Sequence, residues 1–192
     1  MATGSGNPIS LSLAGQHNVY NALAAISCGL LLKIRYNDII AALKNFSFRA
    51  SRQEIRKSKQ VWIIDDTYNA NPVSLSSAIN TLDALQVKGK RIVVCADMLE
   101  LGARSKDLHR LAGKMIARST TDVLLTWGAH ARDITKEFNR HRKTLKARHC
   151  KDLGEVKRQL KKICQPHDAV LVKGSRAMRM ERIVEFLNAQ VY

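Results

Sequence analysis

From about Ala50 onward, short solid runs of apolar residues alternate with longer segments whose apolar positions recur every three to four residues. That pattern is read as buried parallel strands alternating with amphipathic helices. The strongest run is Val61-Trp62-Ile63-Ile64, followed by Asp65 and Asp66 where such a strand would surface, and then by Thr67-Tyr68-Asn69-Ala70-Asn71-Pro72. Asn71 suits an N-cap, and Pro72 suits the first helical position, where no N–H is needed. Leu75, Ala78, Ile79, Leu82 and Leu85 then share one helical face, and Gly89 ends the segment.

The alternation continues. Arg91–Ala96 reads as a strand, and Ser105 as the cap of a helix carrying Leu108, Leu111, Ala112, Met115 and Ile116. Val123–Trp127 is a strand closed by Gly128, and Ala131, Ile134 and Phe138 mark a shorter helix. Leu145–His149 is a weak, basic strand suited to an edge, as is the polar stretch Gln53–Lys57. Asp152 and Glu155 form a D-x-x-E cap before Val156, Leu160 and Ile163. Ala169–Val172 is the last strand, followed by Lys173-Gly174-Ser175-Arg176 and a helix with Ile183, Val184 and Leu187. Repeated strand–helix units with right-handed crossovers give an α/β fold, a doubly wound, mostly parallel, Rossmann-like sheet.

The first part of the chain reads differently. Ile9, Leu11 and Leu13 alternate with serines as in a short strand. Asn18 is read as the cap of a helix burying Val19, Ala22, Leu23, Ile26 and Leu30, and a second helix starts at Asn37 or Asp38 with Ile39, Ile40 and Leu43 inside. Two such helices have too little area for a core of their own, so residues 1–48 are expected to be the remnant of a larger domain and residues 49–192 a complete one.

Bulk properties narrow the function. Lys and Arg exceed Asp and Glu by 32 to 16, a formal charge of +16. The excess favours anionic partners and gathers in Arg140-His141-Arg142-Lys143, Lys146, Arg148, Lys157-Arg158 and Lys161-Lys162. Aromatic residues are scarce there, which argues against a single-strand nucleic-acid platform. No run is apolar enough to span a membrane, and no signal-peptide pattern opens the chain, so a cytoplasmic location is expected. Cys28, Cys95, Cys150 and Cys164 show no C-x-x-C spacing and are expected to be reduced thiols, and the histidines have no metal-ligand spacing. No G-x-x-x-x-G-K-[ST] is present.

Candidate chemistry sits at the strand ends, where open α/β sheets bind ligands. Asp66 is the better ribose acceptor of the acidic pair, because Asp65 and Asp66 should point to opposite faces. Asp97 and Glu100 could orient a basic group or bind an amine, or else merely form a polar turn. Lys173-Gly174-Ser175-Arg176 suits an anion, or is simply a glycine turn capped by Ser175.

Read together, Gly15-Gln16-His17-Asn18-Val19-Tyr20-Asn21-Ala22-Leu23-Ala24-Ala25, Asp65–Pro72, Asp97-Met98-Leu99-Glu100-Leu101-Gly102 and Val172-Lys173-Gly174-Ser175-Arg176 resemble the Mur ligases. The likeness covers nearly the whole chain and is strongest to the branch that adds D-alanyl-D-alanine to UDP-N-acetylmuramoyl-tripeptide in peptidoglycan synthesis. It implies a three-domain parent. Its first domain, with the UDP-sugar site, and most of its central domain, with the P-loop and the magnesium ligands, would precede residue 1; residues 1–48 would be the tail of that central domain and residues 49–192 the C-terminal α/β domain. ATP and Mg2+ are its cofactors, and the reaction passes through an acyl phosphate attacked by the D-alanyl-D-alanine amine.

By resemblance, His17, Asn18 and Asn21 lie at the adenine, Asp66 at the ribose, Asn69 and Asn71 nearby, and Arg52 reaches the nucleotide. Lys173, Ser175 and Arg176 face the incoming amino substrate, Asp97 and Glu100 join them as substrate-binding on the residue reading above, and no metal ligand is assigned to this chain. Ser51 and Ala96 stand where the family has glycine, so Ala96 is a position where a φ > 0 turn could be lost. The portion alone is expected to be catalytically silent. The alternative is a non-catalytic basic module binding nucleic acid or another polyanion.

Overall fold

The computed structural model describes residues 9, 11, 16–46, 54–144 and 146–190, with backbone alone at 16, 17 and 146. The strand expected over residues 9–13 therefore lies largely outside the described residues, as do Ser51 and Arg52. The chain divides into two compact units, Met1–Arg49 and Ala50–Tyr192.

In the first unit, α1 (Gln16–Leu31) and α2 (Tyr36–Lys44) pack where Gly29 meets Ile39. A Cβ on Gly29 would stand 2.7 Å from Ile39 Cδ1, so glycine is what permits the approach. α1 ends in a Schellman pair, Lys33 N to Leu30 O and Ile34 N to Gly29 O, with Lys33 in the left-handed conformation usually given to glycine. Two expectations are corrected. Asn18 lies inside α1 rather than capping it, because the helix already starts at Gln16. Of the apolar face expected to be buried, Ala22 is buried, but Val19, Leu23 and Leu30 are exposed. A two-helix unit buries one narrow contact and leaves the rest of an apolar face bare.

The second unit is a six-stranded sheet in the order β1-β2-β6-β3-β4-β5, formed by β1 (Glu54–Ser58), β2 (Val61–Asp66), β3 (Arg91–Ala96), β4 (Val123–Trp127), β5 (Lys146–Cys150) and β6 (Ala169–Lys173). β1 is the antiparallel edge on β2, and all other pairs are parallel. The two basic or polar strands take the two edges, where charged side chains discourage further pairing.

α3 (Pro72–Ala84), α4 (Ser105–Arg118) and α5 (Ala131–His141) cover one face, around Ile64, Leu82, Val93, Ile116, Leu124, Phe138 and Leu171. α6 (Leu153–Ile163) and α7 (Glu181–Ala189) cover the other, around Ile63, Ile92, Val94, Leu160, Val170 and Leu187. The chain moves outward through β3, β4 and β5, then returns under the sheet by α6 to insert β6 between β2 and β3. That return makes the fold doubly wound and creates the crevice at the carboxyl ends of the strands.

Local signals held at α3, where Asn71 Oδ1 accepts from Ser74 N at 2.8 Å with Pro72 first in the helix, and at α6, where Asp152 accepts from Glu155 N. They failed at α4. A 3-10 turn over Gly102–Arg104 precedes that helix, so Ser105 is its first residue and not its cap. α3 also stops at Ala84, well before Gly89.

Candidate functional site

The central geometry follows from strand register. Asp66 is paired with Lys173 across β2 and β6, and Cys95 with Lys173 across β3 and β6. Neighbours in a parallel ladder point to the same face, so Asp66, Lys173 and Cys95 share the face covered by α3–α5. Both carboxylates belong to the strand rather than lying beyond it. Asp66 is buried, and its Oδ2 accepts from Lys173 Nζ at 2.5 Å. Lys173, only 2% exposed, also donates to the Asn69 carbonyl at 3.0 Å. Two residues assigned to different ligands on sequence grounds thus form one buried ion pair, tied to the loop that leads into α3. Burial beside them pushes the Cys95 thiol up to about 12, with the Lys173 charge opposing in part, so Cys95 stays a neutral thiol.

Asp65 points the other way, as expected. Its Oδ1 accepts from Thr67 N and Oγ1, at 3.2 and 2.7 Å, and its Oδ2 from Arg56 at 3.3 Å.

A second knot joins the loops after β3 and β6. Ser175 N donates to the Asp97 carbonyl at 3.1 Å, and Ser175 Oγ accepts from Leu99 N at 2.8 Å. Ser175 is therefore a loop-to-loop clasp and not a helix cap; a 3-10 turn over Arg176–Met178 separates it from α7. Gly174 is required sterically, since a Cβ there would lie 2.9 Å from that of Ala96 and 2.7 Å from Met180 Cγ. The concern over Ala96 is removed. It is the last residue of β3 and is absent from the positive-φ positions among the described residues, which do include Glu100 at 62°.

Asp97 is buried, and its Oδ1 accepts from His130 N at 3.0 Å and Ala131 N at 2.7 Å, which caps α5 from a distance. Gly128, at φ +120°, lets the α5 entry reach that carboxylate; a Cβ there would fall 2.3 Å from Asp97 Oδ1. His109, fully buried, holds the same loop. Its Nδ1 lies 2.7 Å from the Ser105 carbonyl, and its Nε2 lies 3.0 Å from Met98 N. A carbonyl only accepts and an amide N–H only donates, so the ring is the neutral Nδ1–H tautomer. Burial lowers its pKa below 6.5, against the pull of the Ser105 hydrogen bond and of Asp97.

The other assigned residues stand apart from these clusters. Asn71 is exposed and capping, Glu100 is exposed, and Arg176 is exposed, 3.6 Å from Glu181. Asn69 turns its Oδ1 to Ala70 N. In the first unit, Asn21 donates to Asn18 Oδ1 at 3.4 Å and Asn18 is buried. The His17 side chain and Arg52 lie outside the described residues. Among the described residues no cluster of three or more His, Cys, Asp or Glu could hold a metal, and all four cysteines are free.

Sequence reading missed His109 and the partnership of Asp97 with residues 130–131. The available signals were the four-residue step from Ser105 to His109, one helical turn, and a glycine directly after β4.

Comparison with known proteins fits this arrangement. The family profile described as "Mur ligase, glutamate ligase domain" matches residues 51–176. The UDP-N-acetylmuramoyl-tripeptide--D-alanyl-D-alanine ligase of Buchnera aphidicola subsp. Acyrthosiphon pisum is 36% identical over 182 residues, covering 93% of this chain and 38% of that protein. The enzyme of the same name from Bacillus subtilis is 31% identical, covering 94% and 40%. Among solved structures, Acinetobacter baumannii MurF superimposes with a TM-score of 0.79 at 28% identity, covering 94% of this chain and 39% of that one. Thermotoga maritima MurF in complex with ADP gives 0.68 at 27%, covering 90% and 38%. The chain spans about two fifths of the length of the relatives it matches. It belongs to the Mur ligase family, and its six-stranded unit is that family's C-terminal domain.

Proposed function

We propose that this chain serves as the C-terminal portion of an ATP-dependent ligase that joins D-alanyl-D-alanine to UDP-N-acetylmuramoyl-tripeptide in peptidoglycan synthesis. The observation that carries the reading is the pair of knots at the strand ends, Asp66–Lys173 and Asp97–Ser175, on a chain similar over nine tenths of its length to ligases of that name.

ATP would supply the phosphoryl group that turns the tripeptide carboxylate into an acyl phosphate. Asp66 would take a ribose hydroxyl. Its Oδ2 is held by Lys173, and its Oδ1 has no hydrogen bond among the described residues, which leaves one fixed acceptor for an incoming O–H. His17, Asn18 and Asn21 would meet the adenine, and Arg52, Asn69 and Asn71 the rest of the nucleotide. Asp97, Glu100, Ser175 and Arg176, with Lys173 behind them, would border the amino substrate. Magnesium would accompany ATP in the whole enzyme. Among the described residues no helix is long and apolar enough to cross a membrane.

The test uses the protein encoded by the whole reading frame. Phosphate release from ATP is measured with UDP-N-acetylmuramoyl-tripeptide and D-alanyl-D-alanine, each omitted in turn. Release is expected only with every component present. Equal release without D-alanyl-D-alanine, or with L-alanine and UDP-N-acetylmuramate in its place, would overturn the reading.

A further inference from the structure

His109 is fully buried, and the proposed ligase chemistry makes no use of it. It stands one helical turn into α4. Its Nδ1–H donates to the Ser105 carbonyl of its own helix, and its Nε2 accepts from Met98 N in the loop after β3. The ring therefore joins α4 to that loop, through a nitrogen that accepts only while the imidazole is neutral.

The loop is pinned at each of its first three residues. The Asp97 carbonyl accepts from Ser175 N, Met98 N donates to His109, and Leu99 N donates to Ser175 Oγ. Glu100 follows at φ 62°, a left-handed conformation costly for a residue that carries a Cβ. Such a conformation persists where the surroundings enforce it, and here the residues just before it are the ones held. Of the two side chains that hold them, Ser175 keeps its acceptor at every pH. His109 does not.

Three charged or titratable groups act on the ring from the elements packed against it: Asp97 of the loop, His130 of the turn before α5, and Asp133 of α5. Asp97 Oδ1 is engaged with the His130 and Ala131 amides, and the His130 ring centroid lies 5.4 Å from that of His109. A proton on Nε2 would turn the acceptor into a second donor set against the Met98 N–H. Resting on the ligase reading above, we propose that His109 is a positioning residue: the neutral ring holds the loop after β3 in shape for the incoming amino substrate, and protonation of the ring lets Met98–Glu100 relax. Both of these bonds run to backbone groups of the loop and of α4, so the effect falls on the amino substrate and not on ATP.

The experiment follows amide hydrogen exchange and the His109 ring resonances of the full chain by NMR as pH is lowered from 7.5. In parallel, KM for D-alanyl-D-alanine and for ATP is measured in the enzyme encoded by the whole reading frame. As the ring takes up its proton, protection of the Met98 amide is expected to fall about tenfold, while Val93 and Val94 within β3 stay protected. KM for the dipeptide should rise by a similar factor at constant KM for ATP. H109Q supplies an amide oxygen that accepts at every pH, so it should keep the neutral-pH KM and show no acid rise; H109L should show the raised KM throughout. A ring that protonates with no change at Met98, a ring that stays neutral until the whole domain unfolds, an acid rise that survives in H109Q, or an H109L enzyme with the wild-type KM would overturn the assignment. The exchange measurement needs no substrate, so it decides what His109 does to the loop even where the phosphate-release assay overturns the ligase reading.

Discussion

Replacing Lys173 by methionine removes the cation from a buried pair while nearly preserving the volume of the side chain. The pair is well enclosed, with side-chain exposures of 2% for Lys173 and 9% for Asp66. Asp66 would be left as an uncompensated buried charge, and the Asn69 carbonyl would lose its donor. Breaking a buried pair by deleting one partner costs about 3–5 kcal/mol. For a domain of this size each kcal/mol lowers Tm by ~2–4 °C, so K173M should melt on the order of 6–20 °C below the wild type.

The pair itself contributes far less than that loss, because burying both charges costs several kcal/mol per ion in desolvation. The double variant K173M/D66L should therefore recover most of the stability lost by K173M. Urea unfolding of the wild type, both single variants and the double variant completes the cycle. A K173M loss below about 1 kcal/mol, or a double variant whose loss equals the sum of the singles, would refute the claim that these two residues are a coupled buried pair.

Three further outcomes are expected. Asp97→Ala strands the His130 and Ala131 amides and should cost about 1–3 kcal/mol in urea unfolding, whereas Asp97→Asn keeps Oδ1 as an acceptor and should lose less; Gly128→Ala should be destabilising too, since its Cβ meets the Asp97 carboxylate. His109 has a folded pKa below its unfolded value of 6.5, so its contribution to stability is complete above pH 6.5 and is lost as pH falls toward the folded value; unfolding free energies measured between pH 7.5 and 5 should show that slope, and His109→Gln should flatten it. In a thiol titration with Ellman's reagent under native conditions Cys28 should react quickly and Cys95, Cys150 and Cys164 only on unfolding, because Cys28 is exposed and the others are buried, and burial raises Cys95 to about 12 and Cys150 to about 11.

Much of the fold was legible because its signals are local. Four apolar residues before Asp65, then Asn71 and Pro72 before an apolar helical face, mark a strand and a helix start without reference to the rest of the chain. Gln53–Lys57 and Leu145–His149 carried too much charge for central strands, and β1 and β5 take the edges. Where reading failed, a side chain had two possible partners and the nearer was assumed. Ser105 reads as a cap of the helix beside it but is that helix's first residue, and of the two readings of Ser175 the cap fails, because Ser175 binds Leu99, 76 residues away. Asn18 was given a cap although α1 begins before it. The apolar stripe of α1 fixed its helical period but not what would cover it.

What the sequence alone determined is the order of strands and helices, the α/β class, the edge strands and the resemblance to the Mur ligases. These rest on periodicity, caps and motifs that act over a few residues. What only the tertiary structure decided is which strand end faces which. Asp66 and Lys173 are separated by 107 residues and meet because the α6 crossover inserts β6 between β2 and β3. Asp97 caps a helix begun 34 residues later because β3 and β4 are parallel neighbours. Such meetings are set by sheet order and crossover direction, and no local pattern encodes either.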